Sequence, residues 1–336
     1  MPDTSATREQ QRLEWAREAT GAPRGALLRA STDAGFRSYW RTDGIAPPLI
    51  VMDSPPEKED VVPWLQVRDL LEAGGVRVPR VLAEDRVRGF LLLEDLGADT
   101  LLHVLDADNA DALVEASLAE LLRLQAIPVP AGFPAYDRAL LDRELGLFDA
   151  WFLERHLGVV LDDADREALA SAGTFLVERA LAQPQVLVHR DYMPRNLMPV
   201  AGGVAVLDFQ DAVRGPVAYD PTSLFKDAFL SWPAARVEAW LDRYHALAID
   251  AGLPVPPLAR FHEDAALIGV QRHLKVLGIF ARLHHRDGKP KYLVDAPRFV
   301  AYLDEVVPRY PALSGLDRLL DRHVRPAFAA GAGAAG

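Results

Sequence analysis

The sequence predicts an α+β protein of two lobes: a small β-sheet lobe with one helix over residues 1–96, and a larger, mainly helical lobe over residues 97–328. Short apolar runs punctuated by Gly, Pro and Asp fill the first lobe, and such runs read as strands. From Leu101 onward the apolar residues instead recur at helical spacing. One interruption breaks that helical territory, where two β-branched runs flank a polar segment, HRDYMPRN.

The first lobe opens with a helix over residues 8–20. Strands follow over 25–30 and 36–41, separated by the turn-rich Ser31-Thr32-Asp33-Ala34-Gly35. Prolines on both sides of residues 49–52 mark that run as a short strand rather than a helix. Residues 61–73 have helical periodicity and stop at Gly74-Gly75. Strands over 78–83 and 89–93 complete the sheet. In the second lobe, helices are expected over 112–126, 138–155, 164–181, 234–251 and 263–283. Residues 185–188 and 204–207 are the two short strands around the polar segment, and residues 329–336 read as a flexible tail.

Composition narrows the function. The 336 residues are 50% hydrophobic and 25% charged, with a net charge of −11 and no cysteine. So acidic a chain, without a block of Lys and Arg, is a poor partner for nucleic acid. The absence of cysteine removes disulfides, thiolate nucleophiles and Cys-based zinc sites, and suits a reducing cytoplasm. No apolar run reaches the length needed to span a membrane; the strongest, over 265–283, is broken by Gln271, Arg272, His273 and Lys275.

The chemistry concentrates in His189-Arg190-Asp191-Tyr192-Met193-Pro194-Arg195-Asn196, followed by Leu207-Asp208-Phe209. Phosphoryl transfer from ATP asks for a carboxylate to take the proton of the attacking hydroxyl, and for oxygen ligands to hold Mg²⁺ against the phosphates. Asp191 suits the first role; Asn196 and Asp208 suit the second. Asp208 ends an apolar strand, where packing gives no reason for a carboxylate. A lone Asp-Phe pair or a lone histidine would carry nothing. The HxDxxxxN spacing combined with a strand-terminal Asp is specific.

VLVHRDYMPRNLM and VAVLDFQDAVRGPVAYD resemble the two signature blocks of the aminoglycoside phosphotransferase and choline kinase branch of the protein-kinase-like fold. The resemblance implies a two-lobed kinase using ATP and Mg²⁺, with Asp191 as catalytic base and Asn196 and Asp208 on magnesium. It further implies that His189 organises the loop and that Asp220 supports it from the next helix. DAGFRSYWR, LIVMDSPPEKED, GFLLLEDLG and QRHLKVLGIFARLHHRDGKPKYL further resemble the anomeric sugar kinases of bacterial cell-wall recycling. Those enzymes phosphorylate N-acetylmuramate and N-acetylglucosamine at C1.

In that fold a loop between the first two strands covers the nucleotide. Ser31, Thr32, Gly35, Arg37 and Ser38 occupy its place, with one glycine where a Gly-rich loop has several. Adenine would lie along the backbone of Glu94, Asp95 and Leu96, which links the lobes. The third strand normally carries a phosphate-gripping lysine, and here Met52 stands in its place. Arg37 and Arg41, four apart and expected on one face of the second strand, are the cations that fill the gap. Asp53 reads as a turn former before Pro55.

An aminoglycoside pocket should be acidic, whereas the carboxylate of N-acetylmuramate calls for cations. Arg272 and Lys275 share a helical face, with His273 close by. Arg195, Arg214 and Tyr219, within the signature blocks, join Asp191 as candidates for contact with the sugar. His284-His285 lacks the spaced partners of a zinc site. Two other readings stay open: a kinase of another small alcohol, such as choline, a hydroxy amino acid or an aminoglycoside, and a nucleotide-binding regulator without catalysis, for which Met52 is the sole support.

Overall fold

A computed structural model describes residues 4–31 and 36–332. Contacts divide the chain into two compact units, Met1–Leu124 with Pro194–Asp211, and Gln125–Met193 with Ala212–Gly336.

The chain begins with helix α1 (Thr4–Thr20) and strands β1 (Ala26–Ser31), β2 (Ser38–Asp43) and β3 (Leu49–Asp53). Helix α2 (Val62–Ala73) carries Pro63 in its first turn, where its fixed φ and missing N–H are tolerated. It ends where Gly75 takes a φ of 78°. Strands β4 (Val81–Asp85) and β5 (Phe90–Glu94) complete a five-stranded antiparallel sheet of order β1-β2-β3-β5-β4. Its core joins Trp15, Val51, Phe90 and Leu92. Asp53 is not a turn former. It ends β3 in a buried position, where Arg8 Nη2 (2.6 Å) and Arg12 Nη1 (2.9 Å) of α1 donate to its carboxylate. A buried carboxylate is tolerated when so paired. Arg12 also stacks on Trp40, 3.7 Å from the ring centre.

Helices α3 (Leu101–Val104) and α4 (Ala110–Gln125) lead into the second unit. There α5 (Arg138–Leu147), capped by Asp137, runs on into π-helical turns over Phe148–His156. Helix α6 (Asp163–Leu181), capped by Asp162, follows, and then β6 (Gln185–Val188). The chain returns to the first unit with a 3₁₀ turn, Pro194–Asn196, and the hairpin of β7 (Leu197–Val200) and β8 (Gly203–Val206). Back in the second unit, β9 (Val213–Pro216) pairs antiparallel with β6. Helices α7 (Tyr219–Phe225), α8 (Ala234–Asp250), α9 (Leu258–His285), α10 (Ala296–Val306), α11 (Ser314–Leu319) and α12 (Arg325–Ala332) complete the chain. Part of the segment expected as a tail is therefore helix, up to Ala332. Among the described residues no helix is long and apolar enough to cross a membrane.

Helix α9 is the spine of the second unit. Its residues from Leu267 to Gly278 are all buried, packed against α5, α6, α7, α10 and the π-helical turns. Each fully buried Leu or Phe here contributes about 1.5–3 kcal/mol. Gly278 allows the closest approach. A Cβ built there would sit 2.3 Å from the carbonyl carbon of Leu147 and 2.5 Å from its oxygen. Gly278→Ala should therefore push backbone against backbone and cost about 1–3 kcal/mol, read as a lowered Tm in a thermal melt. An unchanged Tm would show that the two helices have slack.

Candidate active site

In the second unit, β6 ends at Val188 opposite Val213 and delivers His189, which is fully buried. The N–H groups of His189 and Arg190 donate to the two oxygens of Asp220, at 2.7 and 3.0 Å. Asp220 is the second residue of α7, so both donors turn toward a carboxylate held by a helix. Arg190 adopts a φ of 75°, a left-handed conformation that costs a non-glycine residue about 1–2 kcal/mol. The Asp191 N–H lies 3.2 Å from His189 Nδ1. The His189 ring meets Tyr192 edge-on at 5.7 Å.

Burial pushes the Asp220 carboxyl up to about 6, against the opposing pull of His189 and of the two N–H donors. Asp191 moves the other way. Burial acts to raise it, but the positive charges of Lys275, Arg190, Arg272 and His189 outweigh burial and hold it below the usual carboxylate range.

A charged network lies beside this loop. Arg190 bonds Glu144 of α5, and Lys275 Nζ lies 3.2 Å from the same Glu144 oxygen and 3.1 Å from the Tyr219 hydroxyl. The Tyr136 hydroxyl also donates to Glu144. The structure thus brings Asp191, His189, Tyr219 and Lys275 into one neighbourhood. Arg272 is buried too, with Nη1 donating to the Lys226 carbonyl at 3.2 Å. His273 packs elsewhere, its ring 4.9 Å from that of Tyr302 and 5.6 Å from that of Phe299. Burial holds its pKa well below the ordinary value. Arg214 is exposed on β9, with its backbone bonded to Pro134 and Tyr136.

Glu144 escaped the sequence reading. The available signal was its position, because Leu141, Glu144 and Phe148 form one buried stripe at helical spacing and a carboxylate there is out of place.

In the first unit, the β7–β8 hairpin brings Asn196 and Asp208 together from twelve positions apart. Leu197 faces Val206 at its open end, and Leu207 N donates to the Asn196 carbonyl at 2.8 Å. Asn196 is buried and Asp208 exposed, the latter with a φ of 60°. Phe209 anchors the turn against Trp64 of α2, with ring centres 5.1 Å apart. Gln210 Nε2 donates to Asp208 Oδ1 at 3.0 Å. Arg195, half-buried, occupies the 3₁₀ turn. Two neighbouring hard oxygen ligands fit Mg²⁺, which takes one or two protein ligands and completes its shell with phosphate and water. Among the described residues no group of three or more His, Asp or Glu is arranged to hold a metal by itself.

Met52 is fully buried in β3 between Tyr39 and Leu91. Arg37 precedes β2 rather than lying on it, and pairs with Glu59. Burial acts to lower its pKa, but Glu59, Tyr39 and Asp208 raise it, so its guanidinium feels the Asp208 carboxylate. Arg41 is committed instead to the segment after β5, donating to Asp95 Oδ1 (2.9 Å) and the Gly97 carbonyl (2.7 Å). Ser38 Oγ accepts from the Trp40 indole, Glu94 pairs with Arg77 and Arg80, and Leu96 is half-buried. Thr32 and Gly35 lie outside the described residues; Ser31 is the last residue of β1, opposite Tyr39.

The chain belongs to the phosphotransferase enzyme family, whose profile matches residues 26–262. It is 52% identical over 299 residues to a Pseudomonas putida protein named N-acetylmuramate/N-acetylglucosamine kinase, covering 89% of this chain and 88% of that one. It is 53% identical, with the same coverage, to a Pseudomonas aeruginosa protein of that name. The fold resembles the choline kinase LicA from Streptococcus pneumoniae, with a TM-score of 0.62 at 15% identity over 87% of this chain and 99% of that one. It also resembles the ADP-bound aminoglycoside phosphotransferase APH(2'')-Ib, with a TM-score of 0.60 at 14% identity over 87% and 97% of the two chains.

Asp220 makes a testable contribution to stability. Its folded-state pKa of about 6 lies above the ordinary 3.8. The stability it contributes is therefore complete below about 3.8 and lost as pH rises through about 6. The stability gap between wild type and Asp220→Asn, measured by urea unfolding, should narrow as pH rises from about 4 to 7. A gap that widens would mean the carboxyl is depressed instead.

Proposed function

We propose that the chain transfers the γ-phosphoryl group of ATP to the anomeric hydroxyl of N-acetylmuramate and N-acetylglucosamine, giving the sugar 1-phosphate in cell-wall recycling. The observation that carries this reading is the 52–53% identity, along nearly nine-tenths of the chain, to two relatives named for these sugars.

Asp191 orients the hydroxyl and accepts its proton as the bond from sugar oxygen to γ-phosphorus forms and the bond to the β-phosphate oxygen breaks, releasing ADP. An anomeric hydroxyl is more acidic than an ordinary alcohol, so a carboxylate with a lowered pKa suffices as a late proton acceptor. His189 fixes the Asp191 backbone through Nδ1. Asn196 and Asp208 would hold Mg²⁺, which would neutralise charge on the phosphates when bound. Arg37, near enough to Asp208 to feel its charge, stands in for the lysine that Met52 replaces. Arg41, tied to Asp95 and Gly97, shapes the segment along which adenine lies.

Asp191→Ala should lower turnover by about 10²–10⁴-fold in a folded protein. Asp208→Asn should cripple magnesium-dependent turnover while Asp211→Asn does less, read by titrating magnesium at fixed ATP. Equal magnesium dependence in wild type and Asp208→Asn would remove Asp208 from the metal.

Lys275 already serves Glu144 and Tyr219, and buried Arg272 the Lys226 carbonyl; of the remaining candidates, exposed Arg214 is the cation assigned to the lactyl carboxylate. A charge-assisted contact contributes about 1.5–3 kcal/mol, so N-acetylmuramate should be preferred by about ten- to a hundredfold in kcat/KM. Arg214→Gln should erase that preference. Kinetics on both sugars, with kanamycin and choline alongside and the phosphate position read by phosphorus NMR, test the whole reading. Turnover of kanamycin or choline alone would overturn the substrate assignment.

A further inference from the structure

Glu144 has no part in the reaction as described, yet it is a heavily engaged carboxylate of the second unit. It is 5% exposed. Its Oε1 receives both Arg190 and Lys275, while Oε2 receives the Tyr136 hydroxyl and lies 3.4 Å from Gln271 Nε2. Lys275 is equally buried. Taking three charges out of water is expensive, and apolar side chains of similar volume commonly stabilise such a position at least as well. Stability alone therefore does not explain the group.

Its two cations have a second destination. Arg190 is bonded to Asp191 through the chain, and both Arg190 and Lys275 act on the Asp191 charge. With Glu144 present, these two cations are matched by two anions, Glu144 and Asp191. Without its charge, Asp191 faces both cations with no Glu144 carboxylate to share them.

We propose that Glu144 is a positioning residue for phosphoryl transfer: it takes up Arg190 and Lys275 so that Asp191 stays directed at the substrate hydroxyl and ready to receive its proton. The inference rests on the reading of Asp191 as the base. It makes an unusual demand. Removing Glu144's charge is harmful because Lys275 remains, so removing Lys275 as well should repair the damage.

Steady-state kinetics on N-acetylglucosamine would compare wild type, Glu144→Gln, Glu144→Asp, Lys275→Met and the Glu144→Gln/Lys275→Met double variant. Glu144→Gln should lower kcat by about ten- to a hundredfold, the scale of a misdirected catalytic group, with the KM for ATP little changed. The double variant should regain about fivefold or more over Glu144→Gln, a coupling between neighbours of the kind double-mutant cycles resolve. Glu144→Asp, which keeps the charge, should outperform Glu144→Gln. A double variant no faster than Glu144→Gln, or a Glu144→Gln variant with wild-type kcat, overturns the proposal. Should Glu144→Gln fail to fold, the double variant is compared with Lys275→Met. Similar kcat values support the proposal, and a double variant slower by about tenfold or more overturns it. Asp191→Ala in the same series separates the two claims. If it turns over normally, the assignment of the base fails; if it is inactive while the Glu144 series gives the overturning result, this inference alone fails.

Discussion

Two adjacent backbone N–H groups, those of His189 and Arg190, point at one buried carboxylate, Asp220. The geometry of the second unit's reactive loop follows from that contact. Buried N–H groups need acceptors, and the β6–β9 ladder has ended by residue 189. Asp220 supplies both acceptors from the first turn of α7, and in doing so turns the chain sharply enough that Arg190 adopts a left-handed φ. The turn in turn sets where the Asp191 side chain begins. A carboxylate is well suited to this task, because its two oxygens meet two parallel donors and its charge strengthens both bonds.

The first unit solves a related problem with a hairpin. Four-residue strands are too short to be stable alone, but β7 and β8 lie against the rest of the unit through the bond from Val206 N to the Arg77 carbonyl, and Phe209 packs on Trp64. Asn196 and Asp208 stand at the open end of that hairpin, so its register fixes their spacing. Both units thus hold their chemistry on short strands whose ends are anchored by buried groups, which keeps the reactive side chains on rigid support.

The parts legible in the sequence are the local ones. HRDYMPRN and Leu207-Asp208-Phe209 could be read because their residue types and spacing are themselves the signal. The five sheet strands could be read from their turns, with ends displaced by up to three residues. Contacts between distant residues were not legible. Glu144 meets Arg190 and Lys275 across 46 and 131 positions, and nothing local to residue 144 names either partner. Asp53 looked like a turn residue because its partners, Arg8 and Arg12, lie more than forty positions upstream. Helix α9 misled for a different reason. It is buried on every side from Leu267 to Gly278, so a face argument for Arg272, His273 and Lys275 had no solvent side to start from. Strands β7 and β9 were missed as well, each being four residues long and containing a proline.

The assignment of the β7–β8 hairpin to the first unit has a consequence for how the protein is made. A ribosome releases helix α1 first, but its two arginines have no carboxylate to grip until Asp53 has emerged. The unit still lacks residues Pro194–Asp211, so all of the second unit's first segment must leave the ribosome before the first unit can close. The first unit is therefore not a piece that folds, waits and is then joined by a separate lobe. Its completion is delayed until the chain carrying His189 and Asp191 has been synthesised, and a nascent chain stalled before that point would expose the surface meant for the hairpin.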